Sequence, residues 1–189
     1  MGHSQAEKAH SRQRILTAAS KQIREEGLQS LSIAKLMKAA NLTHGGFYGH
    51  FATREELLAE ALKEALRDGA KTGHAAVGED RSLRTKTRSY LSRAHRDAPE
   101  RGCAIASLSG ETAREDMPAR SAMSLHLRRQ FQGIENTLAD HPHARERAVA
   151  IVAMMVGAVT LSRVADDTAL SDEILRAARQ AALILGEGE

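Results

Sequence analysis

Apolar positions recur along this chain with the period of an α-helix. In residues 12–26, Ile15, Ala19 and Ile23 are spaced by four, Leu16 lies beside them, and polar residues fill the other face. The spacing predicts a helix that ends at Gly27, because a left-handed C-cap favours a residue without Cβ. Ser32 then precedes Ile33, Leu36, Met37 and Ala40, which predicts a short helix over 33–40 with Ser32 as its N-cap. Asn41 tolerates the left-handed conformation and opens a turn over 41–43. Thr43 is expected to cap a third helix over 44–50. Thr53-Arg54-Glu55-Glu56 fits a capping box, and Leu58, Leu62, Ala65 and Leu66 carry a fourth helix to about Gly69. The tract from Gly69 to Gly78 loses the pattern and is expected to fray. Helical patterns resume over 81–97, 103–115, 118–139, 142–166 and 172–185, with breaks at Pro99/Gly102, Met117-Pro118, His141-Pro142 and Asp166-Asp167. Pro118 and Pro142 are each expected near the first position of a helix, where a missing N–H costs nothing. No stretch reads as a strand, so the expected fold is all-α.

Composition agrees with that pattern. Aromatic residues make up 3% of 189 residues, with no Trp, which argues against an all-β fold. Ala, Leu, Arg and Glu dominate, and all four favour helix. The length suffices for a core without staples, and a single cysteine excludes an intramolecular disulfide. Residues 1–20 lack the apolar segment of an export signal. The most apolar run, Ala148 to Leu161, is 14 residues long, short of the about 20 that a membrane span needs. A buried helix in a cytoplasmic protein with no membrane partner is the expectation.

Charge is distributed unevenly. Residues 1–54 hold eight Lys or Arg against three acids, whereas residues 55–189 hold nineteen against twenty-one. Positive charge gathered in the first quarter is the electrostatic footprint of a polyanion partner, although a solvated basic surface has the same composition. The helix pair 33–40 and 44–50, joined by a three-residue turn, is a helix-turn-helix candidate within that basic quarter.

Residues 12–62 resemble the DNA-binding domain of the TetR family of bacterial transcriptional regulators. The resemblance rests on RQRILTAASKQIREEG, LSIAKLMKAANLTHGGFYGHF and ATREELLAEAL. Its most specific part is Phe47-Tyr48-Gly49-His50-Phe51 followed by Thr53-Arg54-Glu55-Glu56-Leu57-Leu58, which is similar to that family's aromatic-Tyr-x-His-Phe-x-x-Lys-Glu-x-Leu signature. Arg54 stands where Lys is usual, and Asn41 where Gly is usual.

The resemblance implies a DNA-binding head over 1–53 and a helical ligand-sensing and dimerisation domain over 54–189. The segment 44–50 would enter the major groove with its N-terminal residues at base edges. His44 can donate or accept there. Gly45 and Gly46 permit close backbone approach but remove two readers, so shape readout is expected to contribute. Lys35 and Lys38 on the preceding helix can reach DNA, and Lys can read guanine. Ser32, Thr43, Tyr48, His50 and Arg54 suit phosphate oxygens, by resemblance and by chemistry. Arg12 and Arg14 are expected in or near a basic arm. Phe47 and Phe51 are expected in the core. Tyr48 and His50 can equally be packed side chains.

The last two helices are expected to pair with their two-fold mates, because a helix that is apolar nearly all round needs burial on every side. Between them and the head, Cys103, Ser107, Met117, Met123, Leu127, Phe131 and Met155 are candidate effector contacts, or ordinary core. Cys103 follows Arg101-Gly102 at a predicted helix start, a setting that makes thiols reactive; it is either an oxidant or electrophile sensor or a small buried residue. No nucleophile elbow, zinc-protease motif or phosphate-cradling loop occurs, and no metal or cofactor is expected. The expected function is a sequence-specific DNA-binding regulator, a repressor released from a palindromic operator by a small molecule. A helical adaptor that binds only protein is the alternative.

Overall fold

The computed structural model describes residues 5–77, 82–138 and 141–187. Among them there is no strand, and the elements in chain order are α1 (Gln5–Glu26), α2 (Ile33–Ala39), α3 (Arg54–Val77), α4 (Leu83–Tyr90), α5 (Arg93–Arg96), α6 (Ala104–Thr112), α7 (Met117–Glu135), α8 (Ala144–Val164) and α9 (Thr168–Glu187). Two short 3-10 helices, Leu28–Ser30 and His44–Gly49, flank α2.

Most boundaries that differ from the sequence reading have local causes. α1 begins at Gln5 rather than residue 12; the added Gln-Ala-Glu-Lys-Ala carries no apolar stripe but strong helix propensity. α3 does not fray at Gly69 and continues to Val77. Gly69 serves packing instead: a Cβ there would stand 2.8 Å from the carbonyl oxygen of Gly102. Gly78 and residue 81 lie outside the described residues. The single helix expected over 81–97 is two, α4 and α5. Leu91, fully buried, turns out of helical geometry, and the Ser92 hydroxyl accepts the His95 N–H at 3.1 Å to start α5. The Arg179 guanidinium donates to the Leu91 carbonyl that the break exposes. Pro118 lies in the first turn of α7, with Asp116 as the cap, 3.2 Å from the Ala119 N–H. Pro142 is not in a helix: His143, at φ 63°, is the N-cap of α8. α9 begins at Thr168 rather than 172, and Asp167 accepts the Leu170 N–H at 2.9 Å.

The helices bury two apolar clusters. One joins Ile15, Leu16, Ile23, Leu36, Met37, Phe47 and Phe51 to Leu58, Leu62 and Leu66 of α3 and onward to Ile105 and Leu108 of α6 and Met123 of α7. The other holds Leu83, Leu91, Ile134, Ile151, Val152, Met155, Val159, Leu175 and Ala182. Val156 packs against both. α8 is apolar and long enough, by composition alone, to cross a membrane. Here its Ala148, Ile151, Val152, Met155 and Val159 are buried in the second cluster.

Candidate nucleic-acid interface

α2 owes its short length to its caps. Ser32 accepts the Lys35 N–H at 3.5 Å. At the other end Asn41 adopts φ 54°, its N–H bonds the Lys38 carbonyl at 3.1 Å, and the Leu42 N–H bonds the Met37 carbonyl at 2.8 Å. These two bonds around a left-handed residue are a Schellman motif. Leu42 packs into the first cluster beside Met37, the apolar contact that accompanies the motif.

The segment after the turn is a 3-10 helix rather than the expected α-helix. Three of its six residues are Gly, each of which weakens an α-helix by about 1 kcal/mol relative to Ala. Thr43 does not cap it with its hydroxyl; its backbone carbonyl accepts the Gly46 N–H at 3.0 Å. Phe47 and Phe51 anchor the segment at 1% exposure each, their rings 5.8 Å apart. Tyr48, edge-on to Phe47 at 5.2 Å, is 71% exposed.

The sequence-predicted residues fall into two groups. Lys35, Lys38, Thr43, His44, Gly45 and Tyr48 are exposed, while Ser32, Gly46, His50 and Arg54 are half-buried. Lys35, Lys38, His44 and Tyr48 make no side-chain hydrogen bond or ion pair among the described residues. A Cβ on Gly45 or Gly49 would meet nothing within 4 Å, so a polymer can come up to this backbone. Thr53 starts α3 by accepting the Glu56 N–H at 3.1 Å, and Glu56 accepts the Ala52 N–H at 2.7 Å. The reciprocal half of the capping box is thus shifted by one residue.

His50 sits with its Nδ1 buried and without a partner. Burial, then the charges of Lys8 and Arg12, push its pKa below the ordinary histidine value. Lys8, one of the eight basic residues of the first quarter, lies on α1 ahead of its apolar stripe. Arg12 and Arg14 belong to α1, not to an arm. Arg12 lies 4.6 Å over the Phe51 ring and faces Glu56 and Glu60 at 3.8 and 3.9 Å. Arg14 donates to Ser11 Oγ at 3.3 Å.

The candidate effector residues divide between the two apolar clusters and the surface. Met123 lies in the first cluster with Cys103 and Leu127 packed on it; Met155 lies in the second with Phe131. Ser107 Oγ accepts from Arg163 at 3.0 Å. Met117 is 66% exposed. Two surface clefts, of about 330 and 290 Å³, open at the α5–α8–α9 junction and along α7. Of the candidates only Met117 lines either. Cys103, a half-buried free thiol, is the N-cap residue of α6. Arg101 pairs with Glu100 at 3.2 Å.

Residues 15–61 match the family described as bacterial regulatory proteins, tetR family. Residues 81–181 match the transcriptional regulator LmrA/YxaF-like C-terminal domain. Among solved structures, the chain is similar to a TetR-family transcriptional regulator from Cytophaga hutchinsonii, with TM-score 0.80 and 19% identity over 97% of each chain. It is similar to the reduced form of NemR from E. coli, with TM-score 0.72 and 18% identity over 92% of this chain and 95% of that one. It is also similar to the TetR-family regulator SCO4454 from Streptomyces coelicolor, with TM-score 0.69 and 22% identity over 93% and 95%. Among curated protein sequences, none matches this chain.

Proposed function

Since the chain belongs to the TetR family of bacterial regulatory proteins and carries an LmrA/YxaF-like C-terminal domain, we propose that it is a homodimeric, cytoplasmic repressor that leaves a palindromic operator when a small molecule binds. The observation that carries this reading is the exposed set Lys35, Lys38, His44 and Tyr48, which makes no side-chain hydrogen bond or ion pair among the described residues, on the helix-turn-helix. His44 is assigned to base edges and Lys35 to base edges or phosphate. Gly45 and Gly46 let the backbone approach, and Ser32, Thr43, Tyr48, His50 and Arg54 hold phosphates.

Residues 1–53 form the reading head in this account, and residues 54–189 sense and dimerise. The dimer forms through α8 and α9. Their outward stripe of Ala150, Ala153, Gly157, Leu161 and Val164, with Leu170, Ala177 and Ile184, follows helical spacing and is exposed or half-exposed in the protomer. A Cβ on Gly157 would meet nothing within 4 Å, which suits close approach of a second helix. The effector enters the seam between the two clusters, where Cys103, Met123 and Leu127 belong to the head side, Phe131 and Met155 to the α8 side, and Ser107 is bonded to Arg163 of α8. It acts by binding the released arrangement more tightly than the DNA-bound one, since no ligand shifts an equilibrium by more than its differential affinity.

Selection of bound fragments from a random duplex pool by the purified chain tests the reading. The expected product is a palindrome with half-sites about 34 Å apart and steep salt dependence. A chain that retains no duplex at low ionic strength disproves it.

A further inference from the structure

α6 bridges the head and α3, and its two ends hold the same stretch of chain. At its start, the Gly102 carbonyl accepts from the buried Arg24 guanidinium at 3.4 Å, and Gly69 of α3 passes close to that carbonyl. At its end, Glu111 Oε2 accepts the Leu28 N–H at 2.7 Å. Leu28 opens the 3-10 helix that follows α1, and Gly27 has no side chain to cap it. Glu111 therefore supplies from another helix the N-cap that the head lacks. Gly27 makes room for it: at φ 87°, a Cβ would stand 2.7 Å from Glu111 Oε1. An exposed bond from Gln29 to Glu115, 2.9 Å, lies beside this contact.

We propose that Glu111 is a positioning residue that sets the angle of the reading head on the effector domain, and hence the half-site spacing a dimer accepts. This rests on the reading of residues 1–53 as a DNA-binding head. The Glu111 carboxylate on the Leu28 amide, between the Arg24–Gly102 and Gln29–Glu115 bonds, ties the chain after α1 to α6. One extra base pair turns a half-site by roughly a tenth of a turn and moves it about 3.4 Å, a displacement that a head fixed at this point does not follow.

The test uses the full chain and duplexes that carry the selected half-sites at the selected spacing and at one base pair more or less. The wild type is expected to lose roughly tenfold or more in affinity at the wrong spacings, and Glu111→Ala at most about threefold. Glu111→Gln retains an acceptor oxygen and keeps the wild-type profile. Gly27→Ala displaces the carboxylate and flattens the profile as Glu111→Ala does. Amide exchange at Leu28 gives a readout without DNA: the amide is protected in the wild type and exposed in Gly27→Ala, and in Glu111→Ala where that variant folds. Equal exchange at Leu28 in wild type and Gly27→Ala overturns the proposal, as does a Glu111→Ala profile identical to wild type. A wild-type chain that selects no paired half-sites overturns the reading of the head itself, and the positioning role with it.

Discussion

Asn41 and Tyr48 mark two kinds of information carried by single residues. Asn41 was legible as a left-handed turn residue because the constraint is local, and its φ of 54° meets it. Tyr48 was open between core and surface, because a short glycine-rich segment has no periodicity that fixes which side faces in. Its 71% exposure came from packing of Phe47 and Phe51 on either side of it. The two kinds of contact assigned to this face predict different losses. Arg54→Ala should weaken binding to all duplexes alike and lower the salt slope by about one, and Tyr48→Phe should cost a few-fold, about 1 kcal/mol, without altering the melting temperature. His44→Ala should instead relax sequence preference by about 1–3 kcal/mol at one base pair. Binding titrations at several salt concentrations on specific and random duplexes separate the two; an unchanged affinity and slope for Arg54→Ala would show that the docking is misassigned.

Between helices, the decisive groups are those that tie one element to the next. His95 of α5 donates from Nδ1 to the Tyr90 carbonyl at 2.6 Å and accepts the Cys103 N–H on Nε2 at 2.8 Å. The bond accepted on Nε2 requires the neutral imidazole, and burial lowers the His95 pKa below the ordinary value. The unfolded chain therefore binds a proton at higher pH than the folded one. The stabilisation is complete above about pH 6.5 and is lost as pH falls through the depressed folded value. Denaturant unfolding from pH 8 to 5 should show stability falling below pH 6.5, with a shallower slope for His95→Gln. His50 and His126, also lowered by burial, contribute to the remaining slope. None of this was visible in the sequence, since Tyr90, His95 and Cys103 meet only because Leu91 breaks the helix expected over 81–97. Where a signal was local, as for Ser32 and Thr53, the cap was correctly placed. Where glycines outweighed the pattern, as over 44–50, an α-helix became a 3-10 helix.

At the scale of the whole molecule, the outward apolar stripe of α8 and α9 is exposed or half-exposed in the protomer. Leu161 and Ile184 are 60% and 64% exposed. Leu161→Arg should leave the protomer's helicity and melting unchanged, convert the dimer to monomer in sedimentation, and lower operator affinity roughly a hundredfold through loss of bivalent binding. A dimer that persists would relocate the interface. The amino-acid order alone determined an all-helical chain, the capped helix-turn-helix, the buried Phe47 and Phe51 and the cationic front, because helix period, capping chemistry and charge are properties of neighbouring residues. Only the tertiary structure decided that Gly27 makes room for a carboxylate 84 positions away, that Gly69 passes a backbone carbonyl and that Arg12 is held over an aromatic ring. Those contacts join residues far apart in the chain, and no periodicity encodes which distant side chain will arrive.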